Sequence, residues 1–264
     1  MYYTCTISSG GQTWNPAQYN AFAAEREQPF WDLAALVEPV PGMRIVDLGC
    51  GDGRLTVALH ERLQARQTVG VDSSPAMLDE AQAHAGAAVS FQDGDIGAWQ
   101  GADVDLVFAN AALQWVPDHA AVLARWRDAL ASGGQLAVQV PANGDHPSHS
   151  VSRALAAEWL GAEAPADPVA ENVLAPEAYA RLLFDLGFQR QHVRLQVYTH
   201  LLGSTAEVVD WVKGTSLTRF QRVLSAEAYA DFLAEYRRRL LDELGEQAPY
   251  LYAFKRILMW GRLG

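Results

Sequence analysis

The sequence predicts an α/β protein with a mostly parallel sheet covered by helices on both faces. Three observations carry this. Strand-like and helix-like patterns alternate through the first half of the chain. A glycine-rich turn stands directly between the first apolar strand and the helix after it, in "IVDLGCGDGRLTVAL" (45–59). An acid, Asp72, ends the second strand about twenty residues further on, the interval of a nucleoside-binding βαβ unit.

The elements follow in order. Arg44 to Leu48 is a short apolar strand, and Leu55, Ala58, Leu59 and Leu63 recur at helical spacing. "TVGVD" (68–72) is the second strand. Ser74 caps the next helix, with Pro75 at its first position. "AAVSFQ" (87–92) and "VDLVFAN" (104–110) are strands three and four. Residues 118–131 are helical up to the "SGG" turn, and "QLAVQV" (135–140) is strand five. Beyond it, 176–188 is a helix stopped by glycine, 191–201 a strand, 205–244 mostly helix, and 250–263 a last strand closing the sheet. Segments 142–174 and 203–246 read as insertions above the carboxyl edge of the sheet, where open α/β sheets bind ligands.

Bulk properties narrow the function. The chain has 264 residues, half of them apolar, and a net charge of −11. That charge disfavours non-specific contact with nucleic acid or a membrane surface. No apolar run approaches the ~18 residues of a membrane span. The first residues lack a basic start and apolar stretch, so a cytoplasmic location is expected. Two cysteines, Cys5 and Cys50, make neither a disulfide framework nor a zinc site, and the scattered histidines lack ligand spacing, so no metal is expected.

The glycine turn spaces its residues Gly49-x-Gly51-x-Gly53, which fits neither the dinucleotide fingerprint nor a phosphate loop. Asp52 lies inside the turn and Asp47 near the end of the strand, where a phosphate would meet repulsion. The glycines admit close approach of a ligand to the backbone; the acids ask for a cation. With Asp72 placed to accept from ribose hydroxyls, the ligand that fits is S-adenosylmethionine, a nucleoside bearing an ammonium and a sulfonium.

These segments resemble class I S-adenosylmethionine-dependent methyltransferases: "VDLGCGDG" their first motif, "GVDSSPAML" the segment after their second strand, "FQDGDIGAW" the adenine-binding segment, and "LVFANAALQWV" the strand beside the transfer site. The resemblance implies a Rossmann-like sheet with an antiparallel last strand and a helical cap. It also implies cofactor-binding roles for Asp47, Gly49, Gly51, Asp72, Ser73, Met77, Asp95, Ile96 and Asn110. In these, Gly49 and Gly51 back onto the methionine part, Asp72 holds the ribose, Asp95 accepts from the adenine amino group, and Asn110 offers its carbonyl to the ammonium. Met77 reads equally well as core filling on an apolar helix face.

A narrower resemblance, to trans-aconitate 2-methyltransferases, spans nearly the whole chain: "WNPAQYNAFAAEREQPF" (14–30), "LQWVPDHAAVL", "QVPANGDHPSH", "DWVKGTSL" (210–217) and "AFKRILMWGRL". The first thirteen residues and "KGTSLTRF" depart from it. It implies monomethyl esterification of a small polycarboxylate by one domain, with core segments near 30–145, 175–202 and 247–264 and a cap of 1–29, 146–174 and 203–246. Alternative acceptors are a carrier-bound malonyl carboxylate or a natural-product hydroxyl or carbon; a catalytically silent, cofactor-binding regulatory subunit is the non-enzymatic alternative.

A carboxylate is already nucleophilic, so positioning groups replace an acid or base: Tyr19, Asn110 and Trp115. The acceptor's other carboxylates need donors, for which Tyr19, Arg26, His149, Arg153 and Trp211 are the candidates. His149 and Arg153, four apart, share a helix face. Lys213, Arg219 and Arg256 come after them. Trp211 also reads as core, and the arginines also read as solvated surface. A monomer acting on a small anionic carboxylate is expected.

Overall fold

The computed structural model describes residues 27–214 and 216–264. Trp14, Tyr19 and Arg26 therefore lie outside the described residues. Residues 27–34 are helical (α1) and feed strand β1 (Arg44–Leu48) through a short loop. There follow α2 (Arg54–Leu63), β2 (Gln67–Asp72), α3 (Pro75–Gln82), β3 (Val89–Asp93), β4 (Val104–Asn110), α4 (His119–Asp128) and β5 (Leu130–Pro141). The second half contains α5 (Pro147–Leu160), α6 (Pro168–Asn172), α7 (Pro176–Asp185), β6 (Arg190–Leu202), α8 (Glu207–Lys213), α9 (Ala226–Leu244) and β7 (Tyr250–Arg262).

The strands form one sheet in the order β3-β2-β1-β4-β5-β7-β6. β1 to β5 pair in parallel and β7 runs antiparallel to both β5 and β6, as the resemblance implies. The order reverses between β1 and β4, which opens a crevice at their carboxyl ends.

Each face buries its own core. On one, Val46, Val107, Ala109 and Val138 pack under α4 and α7 through Val122, Leu123, Trp126, Tyr179 and Leu183. The Trp126 indole N–H, deep in this cluster, donates to the Ile96 carbonyl at 3.0 Å. On the other, Ile45, Leu106, Phe108 and Ala137 meet α1 and α2 through Phe30, Leu33, Leu59 and Leu63. This matches the apolar spacing that predicts α2, though its inward stripe runs through Thr56 rather than Ala58.

Several boundaries differ from expectation, among them the end of the helix expected over 176–188, which stops at Asp185. α4 stops at Asp128, not at residue 131, because Leu130 already pairs with Val104 and starts β5; the ladder then shifts register before Gln135 pairs with Leu106. The left-handed Gly133 (φ +70°) falls inside this irregular stretch and accounts for its turn-like look in the sequence. β3 begins at Val89 rather than Ala87.

The insertions stand on an overhang. β5 pairs with β7 only as far as Pro141–Arg256, while β6 and β7 pair on to Leu202–Tyr250. The six residues Tyr250–Lys255 thus project past the carboxyl edge, and Leu202, Tyr250 and Tyr252 from the ribbon join Leu155, Val208, Val212, Phe220, Phe232, Tyr236 and Leu240 in a third core. α9 is tied to the start of α5 by the buried Tyr236 hydroxyl, which donates to the Ser148 carbonyl at 2.9 Å. "RRR" (237–239) lies on the outer side of α9: Arg238 pairs with Glu235 and Asp242, and Arg239 with Glu158 and Glu235.

Tyr236→Phe removes the hydroxyl through which α9 bonds the buried Ser148 carbonyl. A loss of about 1–3 kcal/mol is expected in denaturant unfolding, with the sheet's spectroscopic signature unchanged.

Candidate active site

The crevice is built from loops that leave the strands at one edge. After β1, Gly49 turns with φ +81° and donates its N–H to Val71 O at 2.7 Å; a Cβ there would stand 2.3 Å from the Ala112 Cβ. Gly51 is also left-handed (φ +56°), and a Cβ on it would meet nothing within 4 Å, so this loop backbone borders open space. Asp72 fixes the turn. Its Oδ2 accepts from Gly51 N–H and its Oδ1 from Ser74 N–H, both at 2.9 Å. Each carboxylate oxygen keeps a further lone pair for a ligand hydroxyl.

Behind the loop, Asp47 is buried and accepts from the Thr56 hydroxyl at 2.6 Å. Burial pushes its carboxyl up, the Thr56 hydrogen bond partly offsets this, and the nearby Asp72 charge adds to the rise, to about 6. The Cys50 thiol is likewise pushed up by burial and by the Asp47 and Asp72 charges, so it stays a protonated packing group.

A cavity of about 450 Å³ opens here, lined by Gly49, Asp72, Ser73, Asp95, Ile96 and the Ala111–Pro117 turn including Trp115. Asp95 accepts from Gly97 N–H at 2.8 Å. Trp115 is 60% exposed and forms an apolar wall. Met77 is 45% exposed on the first turn of α3, so the core-filling reading is overturned. Asn110 ends β4, and its Oδ1 is buried without a partner. The next residue, Ala111, takes a left-handed φ of +53° with its N–H on the Gln139 carbonyl at 2.9 Å, turning the chain into the crevice wall.

His149 and Arg153 share a face of α5 as expected, but both converge on a carboxylate that sequence reasoning passed over. Asp167, 1% exposed, takes His149 Nδ1 and Arg153 on Oδ2, each at 3.3 Å, and Arg219 on Oδ1 at 3.2 Å. Burial alone would raise the Asp167 pKa; the His149 hydrogen bond and the Arg219 charge outweigh it and hold the group well below the carboxylate range. Glu171 is a second acid in this cluster: its Oε1 accepts from Asp167 N–H at 2.9 Å and its charge acts on Arg219. α6, which Asp167 caps, is tied to the crevice wall by Asn172 Nδ2, donating to the Gln114 carbonyl at 2.9 Å. The signal for Asp167 is its place before Pro168, a helix cap; its partners come from elsewhere in the chain. His146 caps α5 by accepting from Ser148 N–H at 3.1 Å. Trp211 packs in the cap core, its ring 4.6 Å from His200 and 5.9 Å from Tyr252.

The methyltransferase domain family matches residues 45–134, the strands and loops that form this crevice. The trans-aconitate 2-methyltransferase of Deinococcus radiodurans is 41% identical over 255 residues, covering 93% of this chain and 96% of the relative. The chain belongs to the trans-aconitate 2-methyltransferase family. The Variovorax paradoxus member is 40% identical, covering 95% of this chain and 96% of its own. The fold is shared with phosphoethanolamine N-methyltransferase 2 of Haemonchus contortus, solved with S-adenosylhomocysteine: TM-score 0.59 at 17% identity, over 90% of this chain and 52% of that one. This family member is an S-adenosylmethionine-dependent methyltransferase. Its residues fit that donor, since the orphaned Asn110 Oδ1 suits an ammonium, the Asp72 oxygens suit ribose hydroxyls, and acids rather than cations ring the loop. Among the described residues no metal-binding cluster occurs and no helix is long and apolar enough to cross a membrane.

Gly49→Ala forces a Cβ into Ala112 and adds about 1–2 kcal/mol of left-handed strain. Binding of S-adenosylhomocysteine by calorimetry is expected to weaken at least tenfold while the circular dichroism spectrum holds. Asp167→Asn takes the charge from the buried acid on which His149, Arg153 and Arg219 converge and is expected to cost about 3–5 kcal/mol in denaturant unfolding. Because the Asp167 pKa is depressed in the fold, its contribution is full above the unfolded value near ~4 and is lost as pH falls below it. The gap between wild type and the Asn variant should therefore narrow steadily as pH falls below about 4.

Proposed function

We propose that this enzyme forms a monomethyl ester of a small polycarboxylate, trans-aconitate, by methyl transfer to one carboxylate oxygen. The observation that carries the reading is the 41% identity to a trans-aconitate 2-methyltransferase along nearly the whole of both chains, cap segments included. Arg153 and Arg219, gathered in the cap around Asp167, supply guanidinium donors suited to an anionic acceptor.

In this reading Asp72 and Ser73 hold the ribose, Asp95 and Ile96 hold the adenine with Met77 against its face, and Gly49, Gly51 and Asn110 receive the amino-acid part. Asp47 supports the loop through Thr56 rather than touching the ligand. S-Adenosylmethionine supplies a methyl group on a positively charged sulfur. The acceptor carboxylate needs no base, so the chain's task is to align it and exclude water; alignment of this kind is worth roughly 7–11 kcal/mol. Trp115 forms an apolar wall at the transfer position. Arg153 and Arg219, held in place by Asp167, meet an acceptor carboxylate from the cap, and His149 orients Asp167. Tyr19 and Arg26 remain proposed acceptor contacts from the N-terminal segment. Trp211 contributes to cap packing.

Incubation with labelled S-adenosylmethionine and a panel of trans-aconitate, cis-aconitate, citrate, isopropylmalate and a malonyl carrier tests this directly. The expected product is a trans-aconitate monomethyl ester, identified by mass. Absence of an ester from every free di- and tricarboxylate would sink the reading. Turnover should also be flat across the histidine titration range, pH 6 to 8, since no side chain transfers a proton.

A further inference from the structure

One face of the sheet carries polar side chains whose bonding is incomplete. Gln139, on β5, is 0% exposed, yet neither its Nε2 nor its Oε1 has a partner. An unpaired buried amide is costly to keep. On either side of it stand two more groups in the same condition. Asn110, its register partner on β4, leaves Oδ1 unpaired. Arg256, on β7 and paired with Pro141 one step further along β5, leaves Nε enclosed and unpaired.

The register puts all three on the same face. Asn110 lies opposite Gln139, Gln139 opposite Leu258, and Arg256 is two residues from Leu258 along its strand. Strands lie about 4.8 Å apart and rise about 3.4 Å per residue, so the backbone positions of Asn110 and Arg256 lie about 12 Å apart across the row.

Arg256 is half-buried, with its guanidinium 4.6 Å from the centre of the Phe254 ring, and no carboxylate among the described residues pairs with it. Burial pulls its pKa down to about 10, with the neighbouring Tyr198 and Tyr252 opposing. Arg194 on β6, on the same face, also has a buried unpaired Nε and adds to the positive field. On that side Asp32 is engaged by the Tyr198 hydroxyl at 2.8 Å. A planar guanidinium beside an amide donor, with no internal acid, is a receptor for a carboxylate.

We propose that Arg256 and Gln139 form a carboxylate subsite for the acceptor, on the sheet side of the active site and separate from the Asp167 cluster in the cap. The proposal rests on the polycarboxylate reading. Arg256 and Gln139 bind an acceptor carboxylate that is not methylated, and the row directs another toward Asn110, where transfer takes place.

The test is calorimetric titration of trans-aconitate into the protein saturated with S-adenosylhomocysteine, for wild type, Arg256→Gln, Arg256→Lys and Gln139→Leu. Arg256→Gln is expected to weaken trans-aconitate binding at least tenfold and to leave S-adenosylhomocysteine binding unchanged. Arg256→Lys should recover part of the loss, and Gln139→Leu should weaken the acid alone without lowering the melting temperature. In turnover the same variants should raise the acceptor KM while the donor KM holds. Wild-type binding of the acid with undiminished affinity in Arg256→Gln would overturn the subsite and leave the polycarboxylate reading standing. Parallel loss of S-adenosylhomocysteine binding would also overturn it, by assigning Arg256 a structural role. No heat from the wild type with trans-aconitate, citrate or isopropylmalate would overturn the polycarboxylate reading and the subsite with it.

Discussion

The carboxylate of Asp72 sets the geometry from which the rest of the crevice follows. One of its oxygens grips the N–H of Gly51, in the loop after β1, and the other grips the N–H of Ser74, in the turn after β2. Two loops that would otherwise move independently are thereby pinned to one rigid strand end. The clamp works because β1 and β2 are parallel neighbours in register, Leu48 opposite Val71, so both loops emerge at the same height. Charge-assisted bonds to backbone donors are stronger than neutral ones, and these keep the glycine turn formed while leaving lone pairs for a ligand.

Around that fixed point the protein divides its labour. The nucleoside side is acidic and built from strand ends, with Asp47, Asp72 and Asp95 in sequence across β1, β2 and the turn beyond β3. The side proposed above for the acceptor is built from the cap and the last strands, where Arg153, Arg219 and Arg256 lie. A cationic donor and an anionic acceptor are each drawn to the opposite sign of field. The chain's net charge of −11 conceals this separation.

What could be read from the sequence divides along a physical line. Roles fixed by local geometry were legible: Ser74 before Pro75 as a cap, glycines where φ is positive, and Asp72 at a strand end; the antiparallel last strand came from the family resemblance. Roles fixed by tertiary assembly were not. Asp167 looks like an ordinary cap residue, and only the packing of α5 and α6 brings His149, Arg153 and Arg219 onto it. Gln139 looks like filler in an apolar strand, and nothing in "QLAVQV" says that its amide lacks a partner. The misplaced end of α4 has a similar origin, since pairing of Leu130 with Val104 overrides the local helical pattern.

The β6–β7 ribbon that outruns β5 has a further consequence. It is secured by its own antiparallel ladder, and the helices it supports share a hydrophobic cluster distinct from the two that sandwich the sheet. Mechanically it is a cantilever. Segments hung from its free end can be lengthened, shortened or exchanged without disturbing the pinned glycine turn at the other end of the crevice. Such an arrangement lets one methyl-donor scaffold be refitted to a different acid by remodelling the overhang alone.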